Sequence, residues 1–326
     1  MDGALDTPVL DDHMHLDPRH GRGVEAAVEF ARSGGTHLLV VNKPSWHLLE
    51  GLPEDPADFR EVFELTVGVV SEASGVLPGR AWPVLGVHPG LVSRLVDAGH
   101  DPEKARELMR TGLDVAAEYV EDGRALALKS GRPHYEVDDA VRAASNDVMC
   151  HGFELAAEAD CAIQLHAEGG EDLTAVTEWA EERGLSARRV VKHYAGGRLA
   201  GPTKSVISNK DELETAVELA TEEGEPFMME TDFIETPTGR GRCWGQRPSR
   251  GGSAGSARRA TTSRSASPTS RRPPTFTIST PRGRWRSERR RFPEAPVDGP
   301  SGRDRAEQGT RLTGHGGSGK RVPGVG

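Results

Sequence analysis

Aromatic residues make up only 5% of this 326-residue chain, and cysteine is rarer still, at 3. Cys150, Cys161 and Cys243 are odd in number and lack the short paired spacings of a metal site. That argues against a disulfide framework and for free thiols in a reducing compartment. No stretch approaches the roughly 18 apolar residues of a membrane-spanning helix. The N-terminus runs straight into a structured pattern, without the basic start and apolar run of a leader. A soluble, cytoplasmic chain with no membrane partner is expected.

Charge is unevenly missing. The formal net charge is -9, yet residues 237–326 hold 20 of the 41 Lys and Arg and only 5 of the 50 Asp and Glu. That segment therefore carries +15, and residues 1–236 carry -24. So acidic a surface repels nucleic-acid backbones unless a local patch or a bound metal reverses the field, and it favours solubility under strong screening. Scarce Lys with abundant Glu, Asp and Ala fits a salt-adapted cytoplasm as well as it fits an ordinary acidic enzyme.

What is present, up to residue 236, is an alternation of short apolar runs with helical periodicity, the mark of repeated βα units around a parallel sheet. Eight runs read as strands: PVLDDHMHL at 8–16, THLLVVNKP at 36–44, AWPVLGVHP at 81–89, ALALKSG at 125–131, CAIQLHAE at 161–168, RVVKHYAG at 189–196, KSVISN at 204–209 and PFMMETDFI at 226–234. Eight strands close a TIM (β/α)8-type barrel, and 236 residues come near the ~250 that such a barrel commonly needs. Amphipathic segments such as GVEAAVEFARSGG, PEKARELMRTGLDVAAEYVEDG and DELETAVELATEEG lie between the strands and end at glycine, as helices do. The weakest unit is the short Gly197–Pro202 link, which lacks a helical pattern. After Pro237, Arg, Ser, Gly, Pro and Thr dominate, and too little apolar surface remains to offset the ordering of the chain. Residues 1–236 are thus expected to form the barrel, and residues 237–326 a disordered tail.

The first strand carries DDHMHLD at 11–17. Residues two apart in a strand share a face, so His13 and His15 can hold one cation together, and the C-terminal end of a barrel strand opens on the active face. Later strands each bring a further candidate near that end: Lys129, His166, His193 and Asp232. Imidazole nitrogens with a carboxylate suit zinc, manganese or iron, and a partly open site activates water. His88, in GVHPG, follows the third strand and could contact substrate or cap a loop. Arg132 and His134, in SGRPHY, are placed to meet an anionic group or to form a loop salt bridge. Asn42 and Trp46 could line the pocket or serve packing. Glu230 shares a face with Asp232 and could support the ligands from behind. Lys192 is expected to point away, towards the helices. His20, His37, His47, His100, His151 and His315 have no constellation around them.

As an ordered set, DDHMHLD, GVHPG at 86–90, the strand ends at His166 and His193, and METD at 229–232 resemble the TatD-like metal-dependent hydrolases of the amidohydrolase superfamily, in particular their archaeal branch. The resemblance runs from about residue 8 to 236. It implies a TIM barrel holding one or two divalent metals (zinc, manganese or magnesium) on His13, His15, His166, His193 and Asp232. It also makes Asp232 the acceptor of the attacking water's proton. The implied reaction is hydrolysis of a phosphoester, with nuclease activity first, on a nucleic-acid or small-molecule substrate.

The chain departs from the family at Lys129, which stands where many TatD-like enzymes have a metal-bridging Glu. An ammonium there repels a second cation. A carbamylated Lys129 presents a carboxylate instead, which would suit an amide, lactone or phosphotriester hydrolase of the phosphotriesterase-like branch. A charged Lys129 could alternatively bind a substrate phosphate. The second departure follows Thr236, where nothing resembles the loop and final helix expected of the family. Read from the third base of each codon, Cys243–Trp244–Gly245 gives Leu and then Gly, the start of ordinary loop sequence. The tail thus reads as a frame slip between Glu235 and Arg240. A rival from another class is an inactive barrel whose basic tail binds nucleic acid.

Overall fold

The computed structural model describes residues 8–234. The tail at 237–326, the final helix that should follow the eighth strand, Cys243 and His315 lie outside the described residues.

All eight expected strands form, as β1 (Leu10–Met14), β2 (His37–Val41), β3 (Ala81–Gly86), β4 (Ala127–Gly131), β5 (Ala162–His166), β6 (Val190–Ala195), β7 (Thr203–Ile207) and β8 (Phe227–Glu230). They make one sheet in sequence order, each strand parallel to the next. The sheet curls into a nearly closed barrel. Its seam lies between β1 and the segment just past β8, where Met14 bridges Phe233 in parallel and the Thr231 amide donates to Asp11 Oδ1 at 3.2 Å.

Seven helices occur among the described residues: α1 (Val24–Arg32), α2 (Pro56–Val76), α3 (Gly90–Asp97), α4 (Pro102–Glu121), α5 (Asp139–Glu158), α6 (Thr174–Glu181) and α7 (Lys210–Glu222). The β3-to-β4 connection carries two of them. The β6-to-β7 connection carries none, in keeping with its unpatterned sequence. The starts of the long helices are chemically marked. The Asp55 side chain accepts from the Ala57 and Asp58 amides while Asp58 reaches back, a reciprocal capping box, and Asp101 caps α4 ahead of Pro102. Beyond α4 the chain turns at Gly123, whose φ of 70° suits glycine. None of these helices is long and apolar enough to cross a membrane.

Apolar packing forms two layers. Leu39, Val41, Val84 and Ala127 fill the barrel interior with Leu10, Trp82, Ala162 and Met228. A larger cluster, including Phe59, Phe63, Leu113, Met149, Phe153 and Ile163, seats α2 to α5 on the outside of the sheet. Two glycines let the strand ends approach closely. A Cβ on Gly86 would lie 1.9 Å from the Lys129 carbonyl oxygen, and one on Gly131 would lie 1.8 Å from that of His166. Any side chain at these positions would force β3 from β4 and β4 from β5 at the end of the barrel where the candidate ligands gather.

Candidate metal centre

Three histidines are fixed by hydrogen bonds that leave the same nitrogen open. His13 Nδ1 donates to Gln164 Oε1 at 2.8 Å, His15 Nδ1 to the Val41 carbonyl at 2.7 Å, and His193 Nδ1 to Glu230 at 2.9 Å. Each acceptor is an oxygen, so Nδ1 carries the proton and Nε2 keeps a lone pair. All three side chains are buried. Burial holds each imidazole well below its usual pKa, and neighbouring histidines push the same way, as do Lys129 at His13 and His15 and Lys192 at His193. The rings lie close together: His13 and His193 stack at 3.7 Å, and His13 meets His15 edge-on at 5.0 Å.

Asp232 completes the group. Ligand atoms of His13, His193 and Asp232 all lie within 4.8 Å of one another, and Asp232 Oδ1 is 3.8 Å from His15 Nε2. Its backbone is held left-handed at φ 46°, with its amide donating to the His13 carbonyl at 3.1 Å. Tyr194, beside His193, is left-handed too, at φ 55°. Among the described residues, two of the three non-glycine residues in this costly region thus belong to or adjoin the cluster. Neutral imidazoles with converging lone pairs and a nearby carboxylate are the donor set of a divalent cation, so the residues fit a metal.

Lys129 sits in the middle of β4, two residues short of the strand end, and donates to the Asn42 carbonyl at 2.9 Å. Burial lowers its pKa to about 7, with Asp232 pulling the other way. Burial also raises Asp232 to about 7, opposed by Lys129.

His166 stands apart from the tightest trio. Its ring lies 5.4 Å from that of His193, and its Nε2 faces His134 Nδ1 at 3.2 Å. Burial, chiefly, and then Lys129 hold its pKa at about 3. His88 packs 4.6 Å from the His166 ring. Its Nδ1 accepts from the Gly90 amide at 3.0 Å, so its proton sits on Nε2 and it serves as a donor. The Arg132 guanidinium is forked onto Glu168, with Nε–Oε2 at 2.9 Å and a second bond from the terminal nitrogen, and it reaches Asn146 at 3.3 Å. The Asn42 amide joins β2 to β3 through both Gly86 backbone groups. Trp46 sits edge-on to His88 at 5.4 Å, with Arg94 over its face at 4.5 Å. Lys192 is buried and donates to the His193 carbonyl, and burial lowers its pKa to about 8. His151 pairs with Asp114 at 2.6 Å, and His37 stacks on Trp82.

Several supporting residues escaped the reading of the sequence. Gln164 holds His13 and also donates to the Asp12 carbonyl at 2.6 Å; its position two residues before His166 on β5 was the available signal. Ser205 Oγ lies 2.7 Å from Asp12 Oδ1 and 2.5 Å from Glu230 Oε2. One hydroxyl proton cannot serve both contacts, so one carboxyl must carry a proton. Burial raises both acids well above the usual carboxylate range, with the charge of Asp11 adding to it at Asp12 and that of Asp12 at Glu230. No sequence pattern marks Ser205, which reaches Asp12 from 193 residues away.

A family model described as TatD related DNase matches residues 10–249. An uncharacterised protein of Methanocaldococcus jannaschii is 31% identical over 248 residues, covering 72% of this chain and 82% of its own length. Among solved structures, a TatD-like protein of Archaeoglobus fulgidus is 20% identical with a TM-score of 0.42, over 68% of this chain and 84% of that one. The organophosphorus hydrolase of Deinococcus radiodurans is 16% identical with a TM-score of 0.42, over 71% and 77%.

Proposed function

This chain belongs to the TatD-related DNase family and is a metal-dependent hydrolase, and from that premise we propose that it cleaves phosphoesters in the manner of a DNase. The observation that carries the reading is the meeting of His13, His193 and Asp232, with ligand atoms within 4.8 Å, at the strand ends of the barrel. His15 adds a fourth donor 3.8 Å from Asp232.

His13, His15, His193 and Asp232 would hold a divalent cation there, which would supply Lewis-acid polarisation of the ester and a lowered pKa for water. The protein's own groups do the rest. Gln164, the Val41 carbonyl and Glu230 hold the three imidazoles in the tautomer that presents Nε2. Asp232 Oδ1 accepts the proton of the attacking water. His88 Nε2–H and the Lys129 amine offer hydrogen bonds to the oxygens of the phosphoryl group, where negative charge concentrates. The water oxygen bonds to phosphorus as the phosphorus–oxygen bond to the leaving alkoxide breaks, and the alkoxide takes up the proton that Asp232 accepted, giving the alcohol.

The test is release of nucleotides from DNA 3′ ends by the full chain, stripped of metal and resupplied with zinc, manganese or magnesium. Lactone and phosphotriester turnover are measured alongside. The expected result is metal-dependent nucleotide release that is lost in His13→Ala. Lactone or triester turnover without nucleotide release would overturn the phosphodiester assignment.

One observation favours a second reading. The Lys129 amine is buried in the barrel, and burial lowers its pKa to about 7, which favours the un-ionised form. An un-ionised amine can add carbon dioxide to form a carbamate, whose carboxylate would suit an amide, lactone or phosphotriester hydrolase. Activity on those substrates that rises with added bicarbonate, and is absent in Lys129→Met, would mark this reading.

A further inference from the structure

We propose that His134 is a metal ligand, and that with His166 it holds a second divalent cation separate from the one assigned to His13, His193 and Asp232. The inference rests on the hydrolase reading above, and it deepens that reading by saying how a second cation is held where Lys129 replaces an acidic bridge.

His166 Nε2 and His134 Nδ1 face each other at 3.2 Å. Two imidazole nitrogens on one tetrahedral zinc, at bond lengths of ~2.0–2.1 Å, sit roughly 3.3 Å apart. The separation of the two nitrogens thus already suits a shared cation, and each ring has only to turn its lone pair from its partner toward the ion when the shared proton leaves. Lys129 directs its amine to the Asn42 carbonyl and bridges nothing.

The loop that carries His134 is built rather than slack. On one side Arg132 is forked onto Glu168. On the other, Arg142 donates to the Pro133 carbonyl at 2.7 Å and to the Tyr135 carbonyl at 3.0 Å, while the Tyr135 hydroxyl meets Ser93 at 2.9 Å. The residues before and after His134 are thus pinned by groups from α5, α3 and the segment just past β5. His134 itself is exposed, so its outer side is open to water or substrate. Such a position, with two protein ligands and free sites, would bind its cation more weakly than the trio and could hand those sites to a substrate phosphate.

The experiment titrates chelator-stripped full chain with zinc by calorimetry and counts zinc retained after dialysis, with and without bicarbonate. Wild type should bind two equivalents in either buffer. His134→Ala should bind one, with the tighter event unchanged within about twofold, and His134→Asp, which restores an oxygen ligand, should recover the second. Lys129→Met should keep both. One equivalent in wild type, or two in His134→Ala, overturns the proposal while leaving the first site standing. A second equivalent that appears only with bicarbonate and vanishes in Lys129→Met assigns it to a carbamate and likewise overturns it. No bound zinc in wild type would overturn the hydrolase site as well. Circular dichroism of each metal-free variant separates a lost ligand from a lost fold.

Discussion

At the scale of single residues, the centre depends on groups that would never touch a substrate. A ligating imidazole is useful only when its ring is turned and its tautomer chosen, and here three oxygen acceptors do both. Gln164→Met keeps the volume of the side chain but removes the acceptor for His13. Its expected effect is a fall in metal affinity of about 10–100-fold, read by zinc titration of the stripped protein. The Asp12 carbonyl also loses its donor, at a cost to stability of about 1–3 kcal/mol, visible in denaturant melts without metal. An affinity unchanged by the substitution would show that His13 needs no such guide.

At the scale of elements, close approach and charge pairing make separate contributions. Gly131 lets β4 lie against the His166 backbone, where a Cβ would come within 1.8 Å of a carbonyl oxygen. Gly131→Ala should therefore cost upwards of about 3 kcal/mol and weaken metal binding, since His166 must move. A soluble, fully stable Gly131→Ala protein would contradict this. Outside the barrel, Glu64 on α2 accepts from the Tyr119 hydroxyl at 2.7 Å and from both terminal nitrogens of Arg124 at 2.7 and 2.8 Å, tying α2 to α4. The Arg124 hydrogen bond, first, and that of Tyr119 pull the Glu64 pKa below its usual 4.5. A carboxylate with a lowered folded pKa stabilises the fold above its unfolded pKa, and the gain is lost as pH falls through the folded value. Glu64→Gln should therefore destabilise by about 0.5–1 kcal/mol at neutral pH, a figure discounted because the pair is solvent-exposed. The difference from wild type should shrink as the pH falls below the usual carboxylate range and vanish once Glu64 is protonated in the folded protein too. A difference that persists in acid would mean that packing, not charge, is what the substitution removes.

At the scale of the whole molecule, the barrel closes through the same segments that carry the ligands. Asp232 donates its amide to the His13 carbonyl, and the His15 amide donates to the Phe233 carbonyl at 2.9 Å, so β1 and the segment past β8 meet at the site itself. A cation shared by His13, His193 and Asp232 would clasp that seam. Binding only to the folded state at 100 times Kd adds about 2.7 kcal/mol, which in a domain of this size raises Tm by roughly 5–11 °C. Thermal melts with zinc and with chelator should differ by that amount, and His13→Ala should abolish the difference. Equal melting temperatures in wild type would rule out a cation across the seam.

The sequence by itself determined the eight strands, their parallel order and the ligand candidates at their ends. Buried strands write their apolar runs locally, and a side chain's face follows from counting by twos. It also determined the missing helix between β6 and β7, since Gly197–Pro202 has no periodicity to bury. Only the tertiary structure decided which nitrogen each histidine presents, because the acceptors come from other strands: Gln164 is 151 residues from His13, and Val41 is 26 from His15. It likewise turned Arg132 onto Glu168 and set His134 against His166. Pairings of that kind are settled by distances between strands, and the order of residues along one strand carries no record of them.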